Sequence, residues 1–106
     1  PPVQPFLSNV TGGWADPEAV TKPEYWVRHL RGTVRFSACL GTALGNGPMA
    51  LLEVGPGQTL TALARSYQGA AAKSTLSSLP RAQDSSSEHR HILASLAQLW
   101  CLGAAV

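Results

Sequence analysis

Apolar positions along the chain fall into a few short, differently spaced groups separated by glycine and proline. Phe6-Leu7-Ser8-Asn9-Val10 is bounded by Pro5 and Gly12-Gly13 and predicts a short strand running into a turn. Trp14 to Lys22 predicts loop with one helical turn at most. Thr21, with Glu24 three residues on, predicts a capping box opening a helix through Tyr25-Trp26-Val27-Arg28-His29-Leu30-Arg31, and Gly32 predicts its left-handed stop. Phe36, Cys39, Leu40, Ala43 and Leu44 then share one face of a second helix, which ends at Gly45-Asn46-Gly47-Pro48.

The second half has a different texture. Met49 to Val54 is unbroken apolar sequence apart from Glu53, which predicts a strand covered on both faces, as in a parallel sheet. Gly55-Pro56-Gly57 turns the chain, and Leu60, Leu63, Ala64 and Tyr67 return at helical spacing. Lys73 to Leu79 predicts a weaker second strand closed by Pro80, and Arg81 to Ser87 a polar linker. Ser85 with Glu88 predicts the cap of a last helix, whose apolar stripe is Ile92, Leu93, Leu96, Leu99 and Trp100 and which Gly103 ends. Helix, strand, helix, strand, helix is an α/β pattern. Two parallel strands do not make an independently stable sheet, so several apolar faces call for neighbours beyond these residues.

Composition narrows the possibilities. The 106 residues suffice for one modest domain, and 44% apolar content is that of a globular protein rather than a disordered tail. A net charge of +2 argues against a nucleic-acid surface; of the eight cations only Arg28, Arg31 and Arg35 crowd together. No apolar run approaches the roughly 20 residues of a membrane span, so no membrane contact is expected. Pro1-Pro2-Val3-Gln4-Pro5 is neither a signal nor a transit peptide and reads as a chain entered in mid-course. Cys39 and Cys101 both fall on apolar helical faces and read as buried, reduced thiols rather than a disulfide. They also make a poor zinc site, and no metal is expected. Asn9-Val10-Thr11 matches a glycosylation sequon, a triplet too common to carry weight.

The residues offer little chemistry of their own. There is no Gly-x-Ser-x-Gly elbow, and Ser85, Ser86 and Ser87 are better helix caps than nucleophiles. His89 and His91, two apart on a helix, face different directions and read as solvated. Gly55-Pro56-Gly57 before a helix outlines a phosphate cradle, which would suit a nucleotide. However, Pro56 has no N–H to donate and no lysine follows, so a tight strand-to-helix turn is the plainer reading. Glu53, an acid within an apolar run, needs a partner, either one of Arg28, Arg31 and Arg35 or backbone N–H groups. No second carboxylate stands near it to form an acid–base pair. His29 by itself reads as a helix-surface residue.

Phe6-Leu7-Ser8-Asn9-Val10-Thr11-Gly12, Tyr25-Trp26-Val27-Arg28-His29-Leu30-Arg31, Val34-Arg35-Phe36 and Leu52-Glu53-Val54-Gly55-Pro56-Gly57 together resemble the C-terminal part of acyltransferase domains of modular polyketide synthases. Leu79-Pro80-Arg81 and Leu96 to Gly103 are similar to that domain's last strand and helix, so the resemblance runs from Pro5 to Val106. It implies an α/β-hydrolase-like large subdomain with a small ferredoxin-like subdomain; residues 1–13 would end the small one and 14–106 return to the large one. The family moves a malonyl-type group from coenzyme A to the phosphopantetheine thiol of an acyl carrier protein, through an acyl-serine with a histidine base. By the resemblance, both catalytic residues and the specificity motif lie before Pro1, so none is expected in this chain.

What the resemblance leaves here is supporting. His29 matches the position whose backbone carbonyl orients the catalytic histidine; Asn9 would steady the turn near the cleft; Arg28 and Arg31 could meet an anionic partner. No cofactor is expected on this piece, coenzyme A thioester and phosphopantetheine being substrates of the whole domain. The implied partners are the rest of the acyltransferase and the ketosynthase and acyl carrier protein of the same synthase, in the cytoplasm. The rival expectation is a degenerate remnant that serves as a docking module for a carrier protein or separate transferase.

Overall fold

The computed structural model describes residues 1–67 and 72–105; Val106, the last residue of the acyltransferase resemblance, lies outside them. The chain forms two compact units, Pro1–Gly47 and Pro48–Val106, and contains both helix and parallel strand.

The first unit begins with a tight turn in place of the expected strand over Phe6 to Val10. The Ser8 carbonyl accepts from Thr11 N at 3.2 Å and Gly12 N at 2.7 Å, which folds the chain back before a ladder can form. Only Leu7 and Trp14 are bridged, antiparallel, flanked by Ser8 N to Gly13 O and Ala15 N to Phe6 O. Gly12 has φ +80°, a conformation that costs glycine nothing and disfavours other residues. One 3-10 turn, Ala19–Thr21, follows, as the loop reading allowed.

Helix α1 spans Pro23–Arg31. It has no capping box: Thr21 Oγ1 donates to the Glu18 carbonyl at 2.7 Å, and the helix starts from an extended Lys22 with Pro23 in its first turn. Proline is suited there because its missing N–H is one the helix would leave unpaired anyway. Nor is Gly32 a left-handed stop; it is extended at φ −85° and ψ 165°. Glycine serves there through close approach, since a Cβ would stand 2.8 Å from the Arg28 carbonyl oxygen. Helix α2, Phe36–Leu44, buries Cys39, Leu40 and Leu44, on the face that the spacing predicted.

In the second unit, β1 (Met49–Glu53) pairs in parallel with β2 (Ala72–Ser77), with Leu51 opposite Thr75 and Leu52 opposite Leu76. Helix α3, Thr59–Ser66, crosses between them after the Gly55-Pro56-Gly57 turn, where Gly55 and Gly57 take φ +143° and +92°. This is the strand–helix–strand unit read from the sequence. Its cover is incomplete, however: Leu52 is 40% and Val54 83% exposed, so β1 is not enclosed on both faces by the described residues. On α3 it is Thr61 and Ala64 that are buried, with Leu60 and Leu63 largely exposed.

Helix α4, Glu88–Cys101, begins from Ser87 with no side-chain cap, so the Ser85–Glu88 box is also absent. It turns its apolar stripe outward. Ile92, Leu93, Leu96 and Trp100 are exposed, and the residues held against β2 are His91 and Ser95. His91 is therefore not solvated as expected, and Cys101 is exposed rather than buried. Both thiols are free.

Candidate functional site

Four residues of the first unit were expected at or near a site: Asn9, Arg28, His29 and Arg31. Each can be built from its neighbours.

The 8–13 turn is anchored by Ser8, which is only 1% exposed. Its Oγ lies 2.6 Å from Tyr25 Oη and accepts from Val10 N at 3.2 Å. A buried hydroxyl pair of this kind satisfies two groups that would otherwise each be costly to bury. Asn9 follows directly. Its carbonyl accepts from Arg35 N at 3.1 Å, and its Oδ1 lies 3.5 Å from the Cys39 thiol, which also approaches the Ser8 carbonyl at 3.5 Å. Burial raises the pKa of Cys39, which keeps it a neutral thiol and a weak donor to these oxygens. Thr42 Oγ1 donates to the Gly12 carbonyl at 2.8 Å. The turn is thus tied to α1 through Tyr25 and to α2 through Cys39 and Thr42.

His29 lies half-buried one helical turn after Tyr25. Its ring stands 6.3 Å from that of Tyr25 and 5.8 Å from that of Trp26, with Tyr25 and Trp26 edge-to-face at 5.0 Å. Trp26 Nε1 donates to the Val20 carbonyl at 2.9 Å, fixing the cluster to the preceding 3-10 turn. The last carbonyls of a helix lack intrahelical partners. Gly32 N takes up the Arg28 carbonyl at 2.8 Å, but among the described residues no donor reaches the carbonyl of His29. An open acceptor on a well-held backbone is suited to receive an N–H from outside the unit. Arg28 and Arg31, in the same last turn, are exposed and make no ion pair among the described residues.

The structure therefore joins Asn9 and His29 indirectly, through the Ser8–Tyr25 bond. Sequence reading passed over both members of that bond. Its one signal was a serine within an apolar run, the kind of polar group that must find a partner when buried.

In the second unit, Glu53 takes the backbone alternative. Its Oε2 accepts from Thr61 N at 2.8 Å and its Oε1 from Leu60 N at 3.1 Å, so the carboxylate closes the N-terminus of α3. Burial pushes its pKa up, but the hydrogen bonds from the Thr61 and Leu60 amides outweigh this, and the net shift is downward. The arrangement occupies the N–H groups that a phosphate would need after Gly55-Pro56-Gly57, which removes the ground for a nucleotide site. Because the folded pKa is depressed, the stabilisation is present above the unfolded value and is lost as pH falls through the folded one. Glu53→Gln is expected to lower stability at pH 7 by about 1 kcal/mol and to flatten acid destabilisation below about pH 4.5. Denaturant titrations of both proteins between pH 3 and 7 measure this; equal slopes would contradict it.

Among the described residues no three His, Cys, Asp or Glu side chains converge as metal ligands do. No helix among them is long and apolar enough to cross a membrane.

Comparison with known proteins gives a consistent result. A search of family models finds no match. A subunit of the phenolphthiocerol/phthiocerol polyketide synthase of Mycobacterium tuberculosis is 32% identical over 107 residues, covering 100% of this chain and 7% of that protein. The spectinabilin polyketide synthase system protein NorB of Streptomyces orinoci is 45% identical over 65 residues, covering 61% of this chain and 3% of that protein. Among solved structures, the acyl transferase domain of SpnD, in complex with 2-(pent-4-yn-1-yl)malonyl, matches with a TM-score of 0.90 and 33% identity over 97% of this chain and 25% of that one. The acyl transferase domain of ZmaA matches with a TM-score of 0.82 and 32% identity over 96% of this chain and 24% of that one. The chain thus spans a few per cent of the curated relatives and about a quarter of the solved domains.

Proposed function

We propose, for a chain that belongs to the acyltransferase domains of polyketide synthases as their C-terminal part, that it supports the transfer of a malonyl-type unit from coenzyme A to an acyl carrier protein. The match of nearly the whole chain to a solved acyltransferase domain, at a TM-score of 0.90, carries this reading. On it, residues 1–13 end a small ferredoxin-like subdomain and 14–106 return to an α/β-hydrolase-like large one. The nucleophilic serine and the histidine base belong to a segment outside this chain, which holds no Gly-x-Ser-x-Gly elbow. The ketosynthase and carrier protein of the same synthase are its partners, in the cytoplasm.

The contribution of these residues is to hold and orient. When the base takes the serine proton, its imidazole becomes a cation, and a carbonyl facing its second N–H both fixes the ring and stabilises that charge. The His29 carbonyl is the acceptor assigned to this role. Among the described residues no donor reaches it, and the Tyr25–Trp26 cluster steadies the helix turn that carries it. Asn9 holds the neighbouring turn against α2. Arg28 and Arg31 offer exposed positive charge to a phosphate-bearing partner, a modest contribution at a solvated surface.

The experiment is labelled malonyl-CoA offered to the chain alone, and to the chain combined with the remaining acyltransferase segment and a carrier protein. The chain alone is expected to take no covalent label, and the combination to form an acyl-serine on the other segment. His29→Ala in the combination is expected to keep its rate within about threefold, because the carbonyl belongs to the main chain. A covalent adduct on the isolated chain would refute the reading.

A further inference from the structure

A groove between α3 and α4, floored by β2, has an uneven supply of hydrogen-bonding groups. It lies wholly within the second unit, has a volume of about 390 Å³, and is lined by no Asp or Glu. Ser78 N donates to the Glu53 carbonyl at 2.9 Å, which fixes the parity of the strand pair. By the alternation of a parallel ladder, Thr75 and Ser77 turn their backbone N–H and C=O groups away from β1, on the side of the groove.

Both of these carbonyls are already taken. Arg65 Nε donates to Thr75 Oγ1 at 2.7 Å, and its Nη2 to the Thr75 carbonyl at 3.1 Å. Ser95 Oγ donates to the Ser77 carbonyl at 2.7 Å, and His91 Nε2 lies 3.0 Å from the same oxygen and from Ser77 Oγ. A carbonyl can only accept, so that imidazole nitrogen carries the proton.

The groups left over are donors. Thr75 Oγ1 receives from a guanidinium and Ser77 Oγ stands beside a protonated nitrogen, so each hydroxyl keeps its own proton to give. Among the described residues no acceptor reaches Thr75 N or Ser77 N, although Ser77 is only 6% exposed. A backbone N–H in so buried a residue is seldom without a partner. Arg65 spends its Nε–Nη2 side on Thr75, which leaves its end-on Nη1–Nη2 fork free, and no carboxylate lines the groove to fill it. That fork matches two oxygens of one oxoanion.

We propose that this groove binds the phosphate group of a small ligand, held by the Arg65 fork and by the free donors of β2. A phosphate brings three acceptor oxygens and a full negative charge to a surplus of donors around one fixed cation, where a carboxylate brings two oxygens. The volume is that of a small-molecule site and leaves room for an organic body beside the phosphate. The inference goes beyond the transfer reading and does not rest on it.

Inorganic phosphate is titrated into a complete acyltransferase polypeptide that contains this sequence, with sodium chloride at equal ionic strength as the control. The NMR signals of Arg65 Nε–H and of the Thr75 and Ser77 amides are followed. Saturable shifts with a Kd on the order of 1 mM are expected for phosphate and not for chloride. Phenyl phosphate binding about tenfold tighter would identify an organic ester as the ligand, and equal binding free phosphate; both support the site. No saturable shift, or acetate binding as tightly as phosphate, overturns the proposal. Arg65→Lys keeps the charge but loses the planar fork, and is expected to weaken binding read at Ser77 by about tenfold or more. Gln98→Glu changes an exposed residue of the groove, so folding is kept, and the added negative charge is expected to weaken binding by about fivefold. Unchanged affinity in Gln98→Glu overturns the proposal even if Arg65→Lys fails to fold.

Discussion

Gly12→Val is expected to be the most damaging single substitution in the first unit, costing about 3–5 kcal/mol. Two independent effects add. The backbone at φ +80° is one that a β-branched residue adopts only under strain. A Cβ there would also stand 2.6 Å from Ala38 Cβ, a contact that must be relieved by moving α2. Such movement pulls on the Thr42 bond to the Gly12 carbonyl and on the Cys39 contacts to Ser8 and Asn9. Gly12→Ala separates the two effects in part, keeping the Cβ clash without branching, and should cost about 2–3 kcal/mol. Denaturant midpoints of the three proteins check this; a Val variant within about 1 kcal/mol of the parent would mean that the turn is not held as described.

The second large effect concerns the Ser8–Tyr25 pair. Ser8→Ala leaves the Tyr25 hydroxyl and Val10 N without a partner in a buried site and is expected to cost about 2–3 kcal/mol. Tyr25→Phe leaves Ser8 Oγ with its bond from Val10 N and should cost about 1–2 kcal/mol. Removing both partners abolishes the unsatisfied pair, so the double variant should be less damaged than the sum of the singles by about 1 kcal/mol. Strict additivity would show that the two hydroxyls do not share a bond. Because this pair joins the Asn9 turn to the helix of His29, each single variant should also lower transfer in the complete acyltransferase more than His29→Ala does.

How far the sequence could be read differs from element to element, for physical reasons. The α2 face was legible because Phe36, Cys39, Leu40 and Leu44 are apolar at helical spacing and their cover lies within the same unit. The strand–turn–helix–strand order of the second half was legible because glycine and proline punctuate it sharply. The caps were not: Thr21 and Ser85 have the right chemistry at the right spacing, yet Thr21 spends its hydroxyl on Glu18 and Pro23 sets the start of α1. Periodicity on α4 found a real stripe in Ile92, Leu93, Leu96 and Trp100 but could not say which way it faces, since spacing defines a face and not what lies against it. The side turned to β2 is marked by His91 and Ser95, four apart and polar, a spacing that puts them on one face and that the pairing of His89 with His91 obscured. At the site, the motif drew attention to His29 and Asn9, while the buried bond that holds them in common lay between residues seventeen positions apart.

Trp100, 70% exposed at the end of a bare strip on α4, has a consequence for the life of the chain in a cell. Chaperones and proteases recognise unsheltered greasy surface as a mark of unfinished synthesis. Produced without the rest of an acyltransferase domain, these residues are expected to be captured by chaperones or degraded through this strip.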